Sequence, residues 1–344
     1  MKILKQVVGI DVAQKELVVS VGRMSEDLTA QIFASKTFAN TLKGHNALLT
    51  WVAKITDPSV SVQFVMEATG VYHETLAYFL VDHSYQVTVL LPNKISNYFK
   101  TLEVKTINDY TCAEAITRFG LERRLNGWTK PDPTFKKIKQ LCRERDQITQ
   151  SRSIAKNQLH AEQSEVEPNA KTLARLKKHI QFLSKQQIEV NDEIEQLVKS
   201  KKKVTDAVEL ITTIPGVGLL TAATILAETN GFELVRNKRQ LTSYAGLDIC
   251  EKQSGTSVRG KASISKRGNR YIRKALYLPA LAAKRHDPKF QSHFTRLVAK
   301  HGIKMKAVVA IQRRLLEMIY TIYKTQIPYL ENFESNIKKE KQLA

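Results

Sequence analysis

The stretch VVGIDVAQKELVVSV (7–21) decides how the N-terminal part of the chain folds. Val7-Val8-Gly9-Ile10-Asp11-Val12 is a short apolar run, a few polar residues follow, and Leu17-Val18-Val19-Ser20-Val21 is a second run. That is the pattern of two strands joined by a turn, and Ala30 to Thr37 adds a third, so three consecutive antiparallel strands are predicted. Further on, Ala47 to Val52 has helical spacing, VSVQFVM (60–66) reads as a buried strand, Tyr72 to Leu80 as a helix, and VTVLL (87–91) as another strand before Pro92. Strands followed by alternating helices and strands predict an α/β layer fold with a mixed sheet over residues 1–125.

Two acids stand where these strands end. Asp11 closes the first strand and Glu67 directly follows VSVQFVM. Carboxylates at the ends of two buried strands are a way to hold hard, oxygen-ligated Mg²⁺ at a shared edge, although an acid after a strand is also a common loop residue. Asp109 is the third candidate ligand, just ahead of a helix containing Ala113, Ala115 and Ile116, where a carboxylate suits the helix dipole.

The character of the chain then changes. Residues 134–203 read as long, charged helices with no Gly from Phe135 onward and one Pro, Pro168, which marks the turn of a helical hairpin. Leu173, Leu176, Ile180, Leu183, Gln187, Val190, Ile194 and Leu197 fall at alternating spacings of 3 and 4, the period of a coiled-coil seam. Residues 204–344 open with LITTIPGVG (210–218) and TAATILAE (221–228), the helix, Pro-Gly-x-Gly turn, helix layout of a helix-hairpin-helix. Gly216 and Gly218 would let backbone N–H groups approach a phosphate, while a Gly-rich turn between helices is also often only a turn.

Composition limits the partners. With 344 residues, 54 Lys+Arg against 33 Asp+Glu and a net charge of +21, the chain is globular and basic enough to call for a polyanion. No run of 18 apolar residues exists and MKILKQVVGI (1–10) leads straight into a strand, so neither a membrane span nor a signal peptide is expected, and the location expected is cytoplasmic, at the nucleoid. Cys112, Cys142 and Cys250 are too scattered for a disulfide framework or a zinc site.

A resemblance now adds to this reading. GIDVAQKEL (9–17), MEATGVYHETLAYFL (66–80), LPNKISNYFK (91–100) and KTINDYTCAEAITRFGL (105–121) are similar to the N-terminal RuvC-like domain of insertion-sequence family 110 transposases. IPGVGLLTAATILAE (214–228) and YAGLDICEKQSGTSVRGKASISKRGNRYIRKAL (244–276) resemble that family's C-terminal transposase domain. The resemblance implies a RuvC-like (RNase H-like) α/β domain, a coiled-coil middle and a mainly α C-terminal domain, acting as an RNA-guided DNA recombinase. It also implies an Asp-Glu-Asp-Asp tetrad for Mg²⁺ and a serine nucleophile. Residue by residue, the tetrad maps to Asp11, Glu67 and Asp109, and its fourth place falls on Cys112, before Ala113. A soft thiol is a poor Mg²⁺ ligand, and Glu114, five residues past Asp109 and about 140° round a helix, is no simple substitute.

The resemblance places the nucleophile at Ser254. Around it, from Glu251 to Ala275, stand eight cations, Lys252, Arg259, Lys261, Lys266, Arg267, Arg270, Arg273 and Lys274, with one acid. Such a segment, Asn269 included, can grip a scissile phosphate, although a charge run is usually a solvated face. Tyr244 and Tyr271, the other nucleophile type used by recombinases, have apolar neighbours and read as core. Strand exchange through a covalent 5′-phosphoserine needs no ATP, and no GxxxxGK[ST] motif is present. The partners implied are donor and target DNA, a bridge-type guide RNA and further copies of the chain in a dimer or tetramer. A metal-dependent, Holliday-junction-resolvase-like nuclease using water, and a non-enzymatic nucleic-acid-binding assembly factor, are the alternatives.

Overall fold

The computed structural model describes residues 2–68, 70–102, 104, 106–251, 253–254, 258–260 and 263–330, with 253–254 and 258–259 described in backbone only. The chain divides after Lys130 into two compact units.

The first unit is a five-stranded mixed sheet with helices. Its elements are β1 (Ile3–Val12), β2 (Glu16–Ser25), β3 (Ala30–Ala39), α1 (Leu42–Ile55), β4 (Val62–Glu67), α2 (Glu74–Asp82), β5 (Gln86–Leu90), α3 (Pro92–Phe99) and α4 (Asp109–Glu122). Strand order is β3-β2-β1-β4-β5. The pairs β1–β2 and β2–β3 are antiparallel, and β1–β4 and β4–β5 are parallel. The three strands and the later helix–strand alternation thus stand where the apolar runs predict them. Alternation along β1 splits the core in two: Val8, Ile10 and Val12 pack with Leu48, Val52, Leu76 and Leu80 of α1 and α2, while Val7 packs with Ile116 and Leu121 of α4.

The second unit is mostly helical: α5 (Pro133–Gln163), α6 (Ala170–Lys199), α7 (Lys202–Thr212), α8 (Leu219–Thr229), α9 (Lys238–Ala245), α10 (Arg270–Ala275), α11 (Tyr277–His286), α12 (Pro288–His301) and α13 (Lys304–Thr325). Four two-residue strands lie between α9 and α10: β6 (Ile249–Cys250), β7 (Gln253–Ser254), β8 (Val258–Arg259) and β9 (Ser263–Ile264). Asp132 caps α5 with Pro133 in its first turn, and Asn169, next to Pro168, caps α6, so the hairpin turns where proline predicts.

Part of the seam on α6 packs within the chain, while Leu173, Leu176 and Ile180 stay partly exposed. Leu183, Val190 and Ile194 are buried in one core with Ile138, Cys142 and Ile148 of α5, and Arg145 Nε donates to Asn191 Oδ1 across the arms at 2.7 Å. That same core continues through α7, α8, α11 and α13, so the base of the hairpin and the C-terminal helices share one interior.

Candidate active site

Sheet geometry brings the first two acids to one edge. In β1, Val7, Gly9 and Asp11 face the α4 side by alternation, and in β4, Val65 and Glu67 do the same, since Val7 and Val65 share the α4 core. The two strands run parallel with Ile10 beside Met66, so Asp11 and Glu67 follow one residue later at the same sheet edge. Asp109 opens α4, whose start is held by a capping box: Asn108 Oδ1 accepts from Thr111 N and Thr111 Oγ1 accepts from Asn108 N, both at 2.9 Å.

Close packing then sets α4 against β1. A Cβ on Gly9 would stand 2.3 Å from Thr117 Oγ1, 2.5 Å from Thr117 N and 2.7 Å from Ala113 O. Only a residue without a side chain lets the helix lie that near, two residues before Asp11. The Thr117 hydroxyl, fully buried, lies 2.8 Å from Ala113 O and 3.1 Å from Ser20 O, both acceptors.

The acids feel one another. Burial, then the Asp109 and Glu67 carboxylates, push the Asp11 carboxyl up to about 6, against a backbone hydrogen bond from Val12 that lowers it. Burial and the same three carboxylates, Asp11 first, raise the Cys112 thiol, which therefore stays protonated within electrostatic range of the cluster. The structure thus brings together Asp11, Glu67, Asp109 and Cys112. They lie within electrostatic range, yet among the described residues no group of three or more His, Cys, Asp or Glu is close enough to hold a metal ion as it stands. The donor chemistry still fits a hard divalent cation, because three carboxylate oxygens are offered and their mutual repulsion is what a cation would relieve.

In the second unit the cations of 251–275 divide into distinct groups. Lys252 and Lys261 lie outside the described residues, as do the side chains of Ser254 and Arg259. Lys266 and Arg267 are exposed, Lys266 in the left-handed region at φ 52°. Arg270 is exposed, with its guanidinium over the Tyr271 ring at 5.0 Å. Arg273 is turned inward, Nη1 donating to Ala245 O at 2.7 Å, and Lys274 pairs with Asp146 of α5. Asn269 is also used internally: its Oδ1 accepts from Tyr271 N and Ile272 N to cap α10, and its Nδ2 donates to Glu228 Oε2 at 2.7 Å. Residues Arg273 and Asn269, read from sequence as nucleic-acid contacts, are therefore committed to holding the fold.

The Pro-Gly turn shows a similar division. Gly216, at φ 86°, backs onto α11, where a Cβ would meet Ala282 Cβ at 2.8 Å and Pro279 O at 3.1 Å. Gly218 caps α8 without a side chain and has open space where its Cβ would stand. Of the two glycines, Gly216 packs against α11 while Gly218 has open space beside it.

Two residues that composition did not single out organise this region. Glu228, 0% exposed at the end of α8, takes a two-pronged contact from Arg143 of α5, Nε to Oε1 at 2.7 Å and Nη2 to Oε2 at 2.9 Å. Tyr244 donates its hydroxyl to the Glu228 carbonyl at 2.9 Å, and Tyr271 stacks under Arg143 at 4.6 Å, so both tyrosines are held in the fold. The one sequence signal for Glu228 is an acid closing an otherwise apolar helix, TAATILAE. A cavity of about 820 Å³ opens nearby, with Leu247, Ile264 and Val309 in its wall and Lys266 and Lys306 also lining it.

Comparison with known proteins agrees with both halves of the sequence reading. Residues 8–168 match a family model described as a transposase, of the IS110 DEDD type, and residues 208–295 match that of the transposase IS116/IS110/IS902 family. A pilin gene-inverting protein of Moraxella lacunata is 26% identical over 326 residues, covering 94% of this chain and 98% of the relative. The IS110 43.6 kDa protein of Streptomyces coelicolor is 30% identical over 125 residues, 35% of this chain and 31% of the relative. A solved T. thermophilus RuvC bound to a Holliday junction substrate has 10% identity and a TM-score of 0.28 over 36% of this chain and 99% of that one, too low to bear on the fold. Among the described residues no helix is long and apolar enough to cross a membrane.

Proposed function

Because the chain belongs to the IS116/IS110/IS902 family of transposases, we propose that it is a DNA recombinase guided by a bridge-type RNA, which cleaves and exchanges strands through a covalent link to Ser254. The observation that carries the catalytic reading is the convergence of Asp11, Glu67 and Asp109, where burial of Asp11, with the charges of Asp109 and Glu67 added to it, pushes its carboxyl up to about 6. Three acids at one sheet edge serve no packing purpose and repel one another; their use is to hold a cation. In this reading Asp11, Glu67 and Asp109 hold Mg²⁺, which when bound supplies charge for the phosphate oxygens. Cys112 stands beside them as a neutral thiol, leaving the site one negative charge short of the family's tetrad.

The chain's own chemistry is an exchange of esters. Ser254 Oγ forms a bond to phosphorus, the P–O3′ bond breaks, and the proton of the serine hydroxyl ends on the released 3′ oxygen. Rejoining runs the same exchange backwards with a 3′-hydroxyl from the other strand, so phosphodiester bonds are conserved and no nucleotide triphosphate is used. Lys266, Arg267 and Arg270, exposed beside the Ser254 loop, together with Lys252, Arg259 and Lys261 of that loop, supply cations for the phosphates. Gly218 offers a backbone N–H at the start of α8. The working form in this reading is a dimer or tetramer on donor and target DNA, located in the cytoplasm at the nucleoid.

The test is a reaction of the full chain, with its copurifying nucleic acid and Mg²⁺, on end-labelled DNA spanning an end of its insertion element. A protein-linked strand is expected on denaturing gels, with the nucleotide on Ser254 by mass spectrometry, and Ser254→Ala should abolish it. Attachment to Ser257, Ser263 or Ser265 would overturn the assignment, and cleaved ends with no linked protein would favour hydrolysis by water at the carboxylates. Sequencing the copurified RNA tests the guide, since a guide must contain segments complementary to the DNA that is recombined.

A further inference from the structure

Glu228 is a buried carboxylate that the reaction just described does not use. Its burial is compensated by the Arg143 fork, and Lys139 Nζ stands 4.0 Å from Oε2. Buried ion pairs of this kind contribute little more stability than apolar residues of the same volume, so stability alone does not account for one placed here. What the pair does is join parts of the unit that are remote in sequence. Arg143 belongs to the hairpin arm α5, Glu228 to α8, and Asn269 Nδ2, which donates to Glu228 Oε2 at 2.7 Å, to the cap of α10.

From Asn269 the connection runs to the loop that carries Ser254. Asn269 N donates to Tyr244 O at 2.7 Å, and Tyr244 returns to the Glu228 carbonyl through its hydroxyl. Gly268 is so close to this ledge that a Cβ there would stand 2.5 Å from both Gly246 N and Tyr244 O. One step further out, Ser265 N donates to Asp248 O at 2.9 Å, and β6 pairs with β9, Ile249 with Ile264 and Cys250 with Ser263. Those two short strands are the legs of the loop, and β7 with Ser254 lies between them in sequence, paired to β8. Lys274 and Asp146 add a second tie between α5 and α10, three residues further along the arm from Arg143.

We propose that Glu228 is a positioning residue for strand transfer, linking Arg143 on the hairpin arm to Asn269 and so to the legs of the Ser254 loop. It touches no substrate; it fixes where the loop stands relative to the arm. The proposal rests on the reading of Ser254 as nucleophile and assigns to the hairpin a part in chemistry besides any part in assembly.

Asn269→Ser is the selective variant, because serine still caps α10 while its hydroxyl is too short to reach Glu228. The full chain, with its copurifying nucleic acid and Mg²⁺, is given saturating end-labelled element-end DNA, and the first-order rate of adduct formation, the DNA half-saturation and the melting temperature are measured. The adduct rate is expected to fall roughly 10- to 100-fold, the loss typical of an ångström-scale misplacement, with half-saturation unchanged. Arg143→Gln should lower the same rate, and the double variant should lose less than the product of the two single losses, since both cut one linkage. If Arg143→Gln does not fold, Arg143→Lys, which keeps the charge and loses the fork, takes its place. A wild-type rate in Asn269→Ser, independent losses in the double variant, or weaker DNA binding with an intact saturated rate each overturn the proposal while leaving Ser254 in place. Cleavage by the wild type without a linked strand overturns the Ser254 reading first, and the positioning role with it.

Discussion

Like charge gathers in two regions of this molecule, and the fold treats them in opposite ways. At the sheet edge of the first unit, Asp11, Glu67 and Asp109 are brought within electrostatic range, and burial together with the two neighbouring carboxylates pushes Asp11 up to about 6. Along 251–275 of the second unit, cations adjacent in sequence are shared out: Lys274 goes to Asp146 and Arg273 to a backbone carbonyl, while Lys266 and Arg267 stay in solvent. Repulsion tolerated in a fold points to a ligand of opposite sign, whereas a run of charge in sequence does not say which members face outward.

The sharpest way to break this comparison is at Asp11. Asp11→Asn should lower strand cleavage by about a thousandfold or more, the several kcal/mol of charge stabilisation a metal site supplies, with the melting temperature maintained or raised. Full cleavage by this variant in Mg²⁺ would remove the acids from the chemistry. Conversely, Cys112→Asp should tighten Mg²⁺ binding, read by calorimetry on the full chain, because Cys112 lies within electrostatic range of the three carboxylates.

Packing behind the acids is the next target. Gly9→Ala forces a methyl into the backbone of Thr117 and Ala113, and the first unit should lose about 1 to 3 kcal/mol in urea unfolding, as overpacked cores do. A loss near zero would mean that α4 can retreat and that the acids are not held as tightly as the geometry indicates.

The raised Asp11 carboxyl also has a pH signature. The Asp11 carboxyl is raised from its ordinary 3.8, so the native state binds its proton more tightly than the unfolded chain. Its contribution favours folding at low pH and is lost as pH rises from about 4 to about 6, an effect of about 1 kcal/mol once solvent screening of a half-buried group is allowed for. The readout is the difference between wild-type and Asp11→Asn stability across that window without divalent cation. A constant difference would show that the Asp11 carboxyl is not raised in the folded chain.

The smallest effect separates the two kinds of cation. Replacing Lys266 and Arg267 with Ala should flatten the log–log salt dependence of DNA binding by roughly one to two units. Arg273→Ala should leave that slope alone and lower stability instead, since its guanidinium is spent on Ala245 O.

Much of the first unit could be read from residues alone because its determinants are local. Short apolar runs mark the strands, and the strand ends near Asp11 and Glu67, on strands that pair in parallel, place two acids on one edge. The part Gly9 plays was not legible, since nothing in a lone glycine says that Thr117 will pack against it. In the second unit, β6 to β9 have two residues each, too few to show a period. Glu228 was invisible for a different reason: its partners Arg143 and Asn269 lie 85 and 41 residues away, and only the folded chain brings them to it.

The hairpin seam has a consequence for the order of events in the life of the protein. Leu183, Val190 and Ile194 find their apolar partners on α5 of the same chain. Two helices of 31 and 30 residues, each about 45 Å long at 1.5 Å per residue, thus close on themselves without waiting for a collision with another molecule. Closure of the hairpin over these three residues is therefore a unimolecular step, whose rate does not depend on how many copies of the chain are present.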